Sequence, residues 1–235
     1  LQEYGLVSYH SLNLLKTQAL ALGLPPADLR SIKARYSFAW NDQGIKYLGI
    51  TLPGKFEDIV STNHKKVFAE TKSLLLRWRL VRLSWLGRAA AVKMTILPKL
   101  LYVFRMLPVP VPKPLLNVVH RDISSYIWNG KRPRIPFKVL SAPLEDEGLK
   151  FPQILAYHKA AAIASLSESL LIHQPLWTYI QSIALPGHSF PGLLFTPSKS
   201  RPPLPTALQI TRWSQNVMTN TYSPGPMPHN TVGGS

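Results

Sequence analysis

The spacing of apolar and polar positions changes near Asn63, and that change divides the chain. Before it the pattern is short and broken. Leu12 to Leu22 is apolar-rich around Lys16, Gly23 and the Pro25–Pro26 pair interrupt it, and Tyr36–Ser37–Phe38–Ala39–Trp40 alternates with the period of two of a strand. Asn41 to Gly44 supplies turn residues and Ile45 to Leu52 reads as a second strand, so the pattern predicts a β-hairpin turning at 41–44.

From Asn63 the period is about 3.6 residues, as on a helix. Val67, Leu74, Trp78 and Val81 fall on one side, while Lys65, Lys72 and Arg79 fall roughly opposite, with Leu76 inside the basic stripe. Ser84 is placed to cap a second helix running through Met94. Pro98 removes a backbone donor and crowds the preceding turn, so a break or kink is expected near Leu97, with the helix resuming to about Met106. Pro108, Pro110, Pro112 and Pro114 then form a stiff extended strap whose last proline suits the first turn of the next helix. Leu116, Val119, Ile123, Tyr126 and Ile127 make one stripe on that helix, which is expected to end near Asn129–Gly130. A basic loop from Lys131 to Arg134 follows, then a helix from about Gln153 to Ile172.

The expected fold is mainly α with a small β-hairpin. Residues 1–58 carry the hairpin, 59–175 are helical, and 176–235 form a flexible, Pro/Ser/Thr-rich tail. Residues 186–235 hold 9 of the 22 prolines and 5 of the 13 glycines, a composition too poor in apolar bulk to pack a core.

Charge adds a partner to this picture. The formal net charge is +16, but residues 61–140 hold 16 Lys/Arg against 2 acids, so nearly all the excess lies on the first helices. An ordinary solvated helix mixes both signs for pairing; this block, interleaved with Trp78, Trp85, Tyr102 and Phe104, reads as a surface for a polyanion. Lys65, Lys72, Arg77, Arg79, Arg82, Arg88, Lys93 and Lys99, with Lys131, Arg132 and Arg134 of the loop, are the candidate phosphate contacts. RNA, an RNA–DNA hybrid or a DNA duplex is the expected partner, ahead of an anionic membrane. Trp78 and Trp128 are expected to pack rather than stack on bases, and Trp85 follows the helix cap.

Catalytic chemistry is hard to find. The chain has no cysteine, which excludes disulfides, thiolate metal sites and cysteine nucleophiles. Its Asp residues, at 28, 42, 58, 122 and 146, never adjoin one another, and the one acidic run, Glu145–Asp146–Glu147, reads as a solvated loop. The histidines lack ligand spacing, and no phosphate-binding glycine loop or nucleophile elbow is present. No cofactor is expected in this chain.

One run of motifs ties these features together. Lys46–Tyr47–Leu48–Gly49–Ile50 is followed by a basic helix ending in Trp78, then Ser84–Trp85–Leu86–Gly87–Arg88, Val92–Lys93–Met94, Ile96–Leu97–Pro98–Lys99 and Tyr126–Ile127–Trp128–Asn129–Gly130. In that order, from about Val7 to Ile172, the chain resembles the palm edge and thumb of reverse transcriptases of LINE-type non-LTR retrotransposons. The resemblance implies that Ile45–Ile50 is the primer-grip hairpin, with Tyr47, Leu48 and Gly49 at the primer, and that the helices are the thumb of a right-hand polymerase. It also implies that Lys16, after Asn13 and before Thr17, lies near the incoming nucleotide as an auxiliary residue. Leu144 to Tyr157 resembles the family's Gly-Gly-Leu-x-Leu-Pro segment, with Glu147 in place of the first Gly and Phe151 in place of an aliphatic residue.

The paired aspartates that hold Mg2+ in such a polymerase are missing, as are the fingers and any endonuclease. The expectation is therefore a fragment that grips primer and template but does not polymerise alone, its partners including the missing palm and fingers. The absence of cysteine fits an intracellular protein. The opening residues, with neither a basic leader nor an apolar signal core, read as an interior piece, and the uncharged run from Ser169 to Ser198, broken by four prolines, is not expected to be a spanning helix. The alternatives are a host-retained RNA-binding or interaction module and a basic peripheral membrane protein.

Overall fold

The computed structural model describes residues 7–8, 13 and 15–168. The tail expected over 176–235 and the end of the helix expected to reach Ile172 lie outside them. The chain is mainly helical with two small two-stranded sheets. It divides into two compact units, Leu1–Glu70 and Thr71–Ser235.

In the first unit, β1 (Gln18–Ala19) pairs in parallel with β2 (Ala39–Trp40) across the helix α1 (Pro26–Arg35). No element was expected at α1, because it buries no residue and so shows no apolar stripe. Its signals are those of a helix start and end instead: Pro26 in the first turn, Asp28 near the N-terminus, and Lys33 and Arg35 in the last turn. Lys33 also binds the Asp42 carboxylate at 2.9 Å.

The hairpin turns inside Ile45–Ile50, the segment that the resemblance singles out, and not at 41–44 as the alternation predicts. Gly44–Tyr47 (β3) pairs antiparallel with Ile50–Pro53 (β4), so the single strand expected over 45–52 folds back on itself at Leu48–Gly49. Tyr36–Trp40 does not join it; its end pairs with β1 instead. Backbone conformation explains the shift. Leu48 and Gly49 have φ of 47° and 81°, the positive φ at both positions that a type I′ two-residue hairpin loop needs. Asn63 secures the second strand: its side chain accepts from the Thr51 N–H at 2.8 Å and donates to the Thr51 carbonyl at 2.7 Å.

α2 (Lys65–Trp78) begins as the continuation of a π-helical turn, Val60–His64. Thr71 and Leu75 are its buried residues, with Leu74 and Trp78 half-buried. Val81, expected on the packing side, lies past the helix end and is exposed. In the second unit Ser84 caps α3 (Trp85–Ala91), its Oγ accepting from the Gly87 N–H at 3.2 Å. A π-helical turn, Val92–Ile96, joins α3 to α4 (Leu97–Met106). The expected break at Pro98 is thus a widened turn before the proline: the wider turn accommodates a missing N–H and a bulky ring without ending the helix.

The proline strap buries Val109 and Val111 while Pro110 and Pro112 face outward, and Pro114 sits in the first turn of α5 (Lys113–Ile127). All five residues of the expected stripe, Leu116, Val119, Ile123, Tyr126 and Ile127, are buried. α5 ends where expected: Asn129 adopts φ 55°, the Gly130 N–H donates to the Ser125 carbonyl and the Asn129 N–H to the Tyr126 carbonyl, the paired bonds that satisfy orphan carbonyls at a helix end. A short helix α6 (Phe137–Ser141) and α7 (Ile154–Glu168) follow among the described residues. α7 packs on α4 and α5, and α3 packs on α5.

Candidate nucleic-acid interface

The cations of the second unit divide into two groups. Lys72, Arg77, Arg79, Arg82 and Lys99 are exposed, as are Lys131, Arg132 and Arg134 in the loop after α5. Arg88 and Lys93 point inward. Lys93 Nζ donates to the Leu149 carbonyl at 2.6 Å, and the Arg88 guanidinium lies 6.0 Å from the Tyr126 ring centre with its Nε buried. Sequence spacing cannot make this distinction, since all ten lie in the same charge block. The helix that carries Arg88 and Lys93 is apolar on most sides, and long cationic side chains on such a helix reach for whatever carbonyl or ring is near.

Among the described residues, no cation between Lys65 and Lys138 forms an ion pair. The pairs that do occur, Lys33–Asp42 and Lys150–Glu145, lie outside that block. The one side-chain hydrogen bond from an exposed arginine of the block runs from Arg79 Nη2 to the Ser125 hydroxyl at 3.0 Å, holding the guanidinium over α5 without neutralising it. Uncompensated charge of one sign on a rigid frame is electrostatically costly unless counterions or a polyanion offset it.

The tryptophans brace this frame. Trp85 stacks on Trp128, ring centres 5.4 Å apart and planes 17° from parallel, and Trp128 is buried. That contact locks the start of α3 to the end of α5 and leaves Trp85 half-buried. His120 packs edge-on against Phe137 at 4.4 Å beside the basic loop, and burial lowers its pKa, so it adds no charge at neutral pH.

In the first unit, Lys65 is exposed at the start of α2. Tyr47 and Leu48 are 63% and 62% exposed at the tip of the β3–β4 hairpin, beside the exposed Gly49. An apolar pair this exposed at a turn is what a contact surface presents and a core does not. Asn13 organises the turn that carries Lys16: its Oδ1 accepts from the Lys16 N–H at 3.2 Å and its carbonyl accepts from the Thr17 hydroxyl at 2.8 Å, leaving the lysine side chain exposed.

Glu147, where the resemblance expects glycine, takes φ 58°. Gly148 next to it is buried, and a Cβ there would collide with the Ala142 carbonyl oxygen, so the space constraint falls on the second position of the motif. Phe151 is buried. Among the described residues no group of three or more His, Asp or Glu stands where it could hold a metal ion. No helix among them is long and apolar enough to cross a membrane. Compared with models of known protein families, the chain matches none.

Proposed function

We propose that this chain is the palm edge and thumb of a LINE-type RNA-directed DNA polymerase, acting as a sequence-independent grip on primer and template without catalytic aspartates of its own. The observation that carries the reading is the set of unpaired, exposed cations on α2, the turn after it and the loop after α5, supported by the order of motifs from Lys46 to Arg134. Phosphate contact by such residues fixes position but reads no base, which suits a surface that must slide along a growing duplex. The exposed Tyr47–Leu48–Gly49 tip supplies the primer-facing element in this reading.

A salt titration of affinity for an RNA–DNA hybrid tests it. Five to eight phosphate contacts give a log–log slope of roughly −4.5 to −7, at about 0.9 per phosphate. A slope near zero removes phosphate tracking as the function.

A further inference from the structure

The exposed face of α2 does not stay cationic to its end. Lys72, Leu76 and Leu80 follow one another at four-residue spacing, with Arg79 beside Leu80 in the turn just past Trp78, so the cationic stripe runs out into aliphatic side chains. Leu76 is 54% exposed, Leu80 85% and Val81 45%; Leu86, beyond the turn, is 50% exposed. Arg77, Arg79 and Arg82 stand among them, exposed and without an ion pair among the described residues. The sequence has no carboxylate between Glu70 and Asp122.

Nor is the tip a loose loop. The Arg79, Leu80 and Val81 N–H groups donate to the carbonyls of Leu75, Arg77 and Trp78, and the Leu83 N–H donates to Val81 at 2.9 Å. Arg79 is tied to Ser125 on one side, and the Trp85–Trp128 stack holds the chain on the other. A protein rarely leaves a leucine as exposed as Leu80 on a hydrogen-bonded corner unless that corner meets something, and a preorganised corner binds without an ordering cost. What it meets must be anionic around the edge and apolar in the middle.

We infer that Leu80, with Leu76 and Val81, is an aliphatic wedge that presses into the base stack of a duplex whose phosphates are held by Lys72, Arg77, Arg79 and Arg82. This rests on the nucleic-acid reading above and deepens it. Aliphatic side chains flanked by arginine are the chemistry that unstacks a base step: the leucine replaces the lost stacking partner while guanidinium groups hold the phosphates on either side of the opened step. The charge of the flanking residues and the continuity of the wedge with the phosphate-contact stripe favour nucleic acid over any neutral apolar partner.

The test uses the full 235-residue chain and a hybrid duplex bearing 2-aminopurine at successive positions, read by fluorescence and by affinity over a salt range. Wild type should raise the fluorescence at one step as it unstacks. Leu80→Ala should abolish that rise and weaken binding about tenfold while leaving the salt slope unchanged. Arg79→Gln should reduce the slope by about 0.9. Because Leu80 is exposed, its replacement should leave the melting temperature unchanged, which separates loss of contact from loss of fold. Salt-dependent binding with no fluorescence change, or with equal change in wild type and Leu80→Ala, overturns the wedge and leaves the grip standing. Absence of salt-dependent binding overturns both. Leu80-dependent binding to phosphatidylserine vesicles that outcompetes the duplex also overturns the wedge.

Discussion

His158 Nε2 donates to the Val109 carbonyl at 3.0 Å, a buried hydrogen bond that ties the proline strap to α7. The imidazole is 2% exposed and lies edge-on to Phe104 at 5.0 Å. The strap has prolines at alternate positions and cannot form a ladder, so its carbonyls must find partners elsewhere. His158 supplies one of them.

Burial lowers the His158 pKa, partly opposed by the Val109 hydrogen bond. The unfolded chain then binds a proton before the folded one does. Stability is highest above the unfolded value of about 6.5 and falls as the pH drops below it toward the lowered folded value, by up to about 1.4 kcal/mol per pH unit. Urea melts between pH 7.5 and 5 should show this loss, and His158→Gln should reduce it to the smaller part that the buried His120 contributes. A wild-type curve that is flat over that range contradicts a neutral buried imidazole.

The two groups of cations should separate by experiment. Lys93→Met keeps the aliphatic stem but leaves the Leu149 carbonyl without its donor, at a cost of about 1–2 kcal/mol in stability and no change in salt slope. Lys72→Gln should do the reverse, reducing the slope by about 0.9 while stability stays within about 0.5 kcal/mol. Thermal melts and salt titrations on the same two variants decide it, and a slope change in Lys93→Met would place that side chain on the phosphate backbone.

At the 147–148 corner, Glu147→Gly should stabilise the second unit by about 1 kcal/mol, because it relieves a left-handed backbone conformation that a side chain disfavours. Gly148→Ala should destabilise it by roughly 2–3 kcal/mol, since its Cβ has nowhere to go but into the Ala142 carbonyl. Equal melting temperatures for the two variants would refute this division of labour.

The hairpin carries strain of the same kind. Leu48 sits at φ 47° in a turn that favours Asn-Gly, so Leu48→Asn should stabilise the β3–β4 pairing by about 0.5–1 kcal/mol, seen as slower amide exchange at Tyr47 and Ile50. The same change should weaken primer binding if Leu48 is a contact residue, a loss of affinity together with a gain in order. A gain in both would make the leucine incidental.

The helices were legible because each announces itself locally. The Ser84 cap, the five-residue stripe of α5 and its Asn129–Gly130 end are all set by neighbours within a turn or two, where periodicity and capping chemistry act. α1 escaped notice because a helix that buries nothing has no stripe to read. Only the resemblance points to a hairpin at Ile45–Ile50, because alternation cannot reveal a turn inside a run of strand-like residues; Leu48 gives no turn signal, and the positive φ it adopts is enforced by the pairing of β3 with β4.

By itself, then, the sequence determined the helical character of residues after Asn63, the concentration of positive charge there and the absence of paired aspartates, because composition, period and caps are properties of neighbouring residues. Tertiary structure decided which cations remain available. Arg88 and Lys93 are indistinguishable from Arg79 and Lys72 along the chain, yet one rests against Tyr126 and the other binds Leu149, residues 38 and 56 positions away. It also left Leu80 bare at the end of the cationic stripe, since exposure depends on what the rest of the chain brings near and not on the identity of the residue.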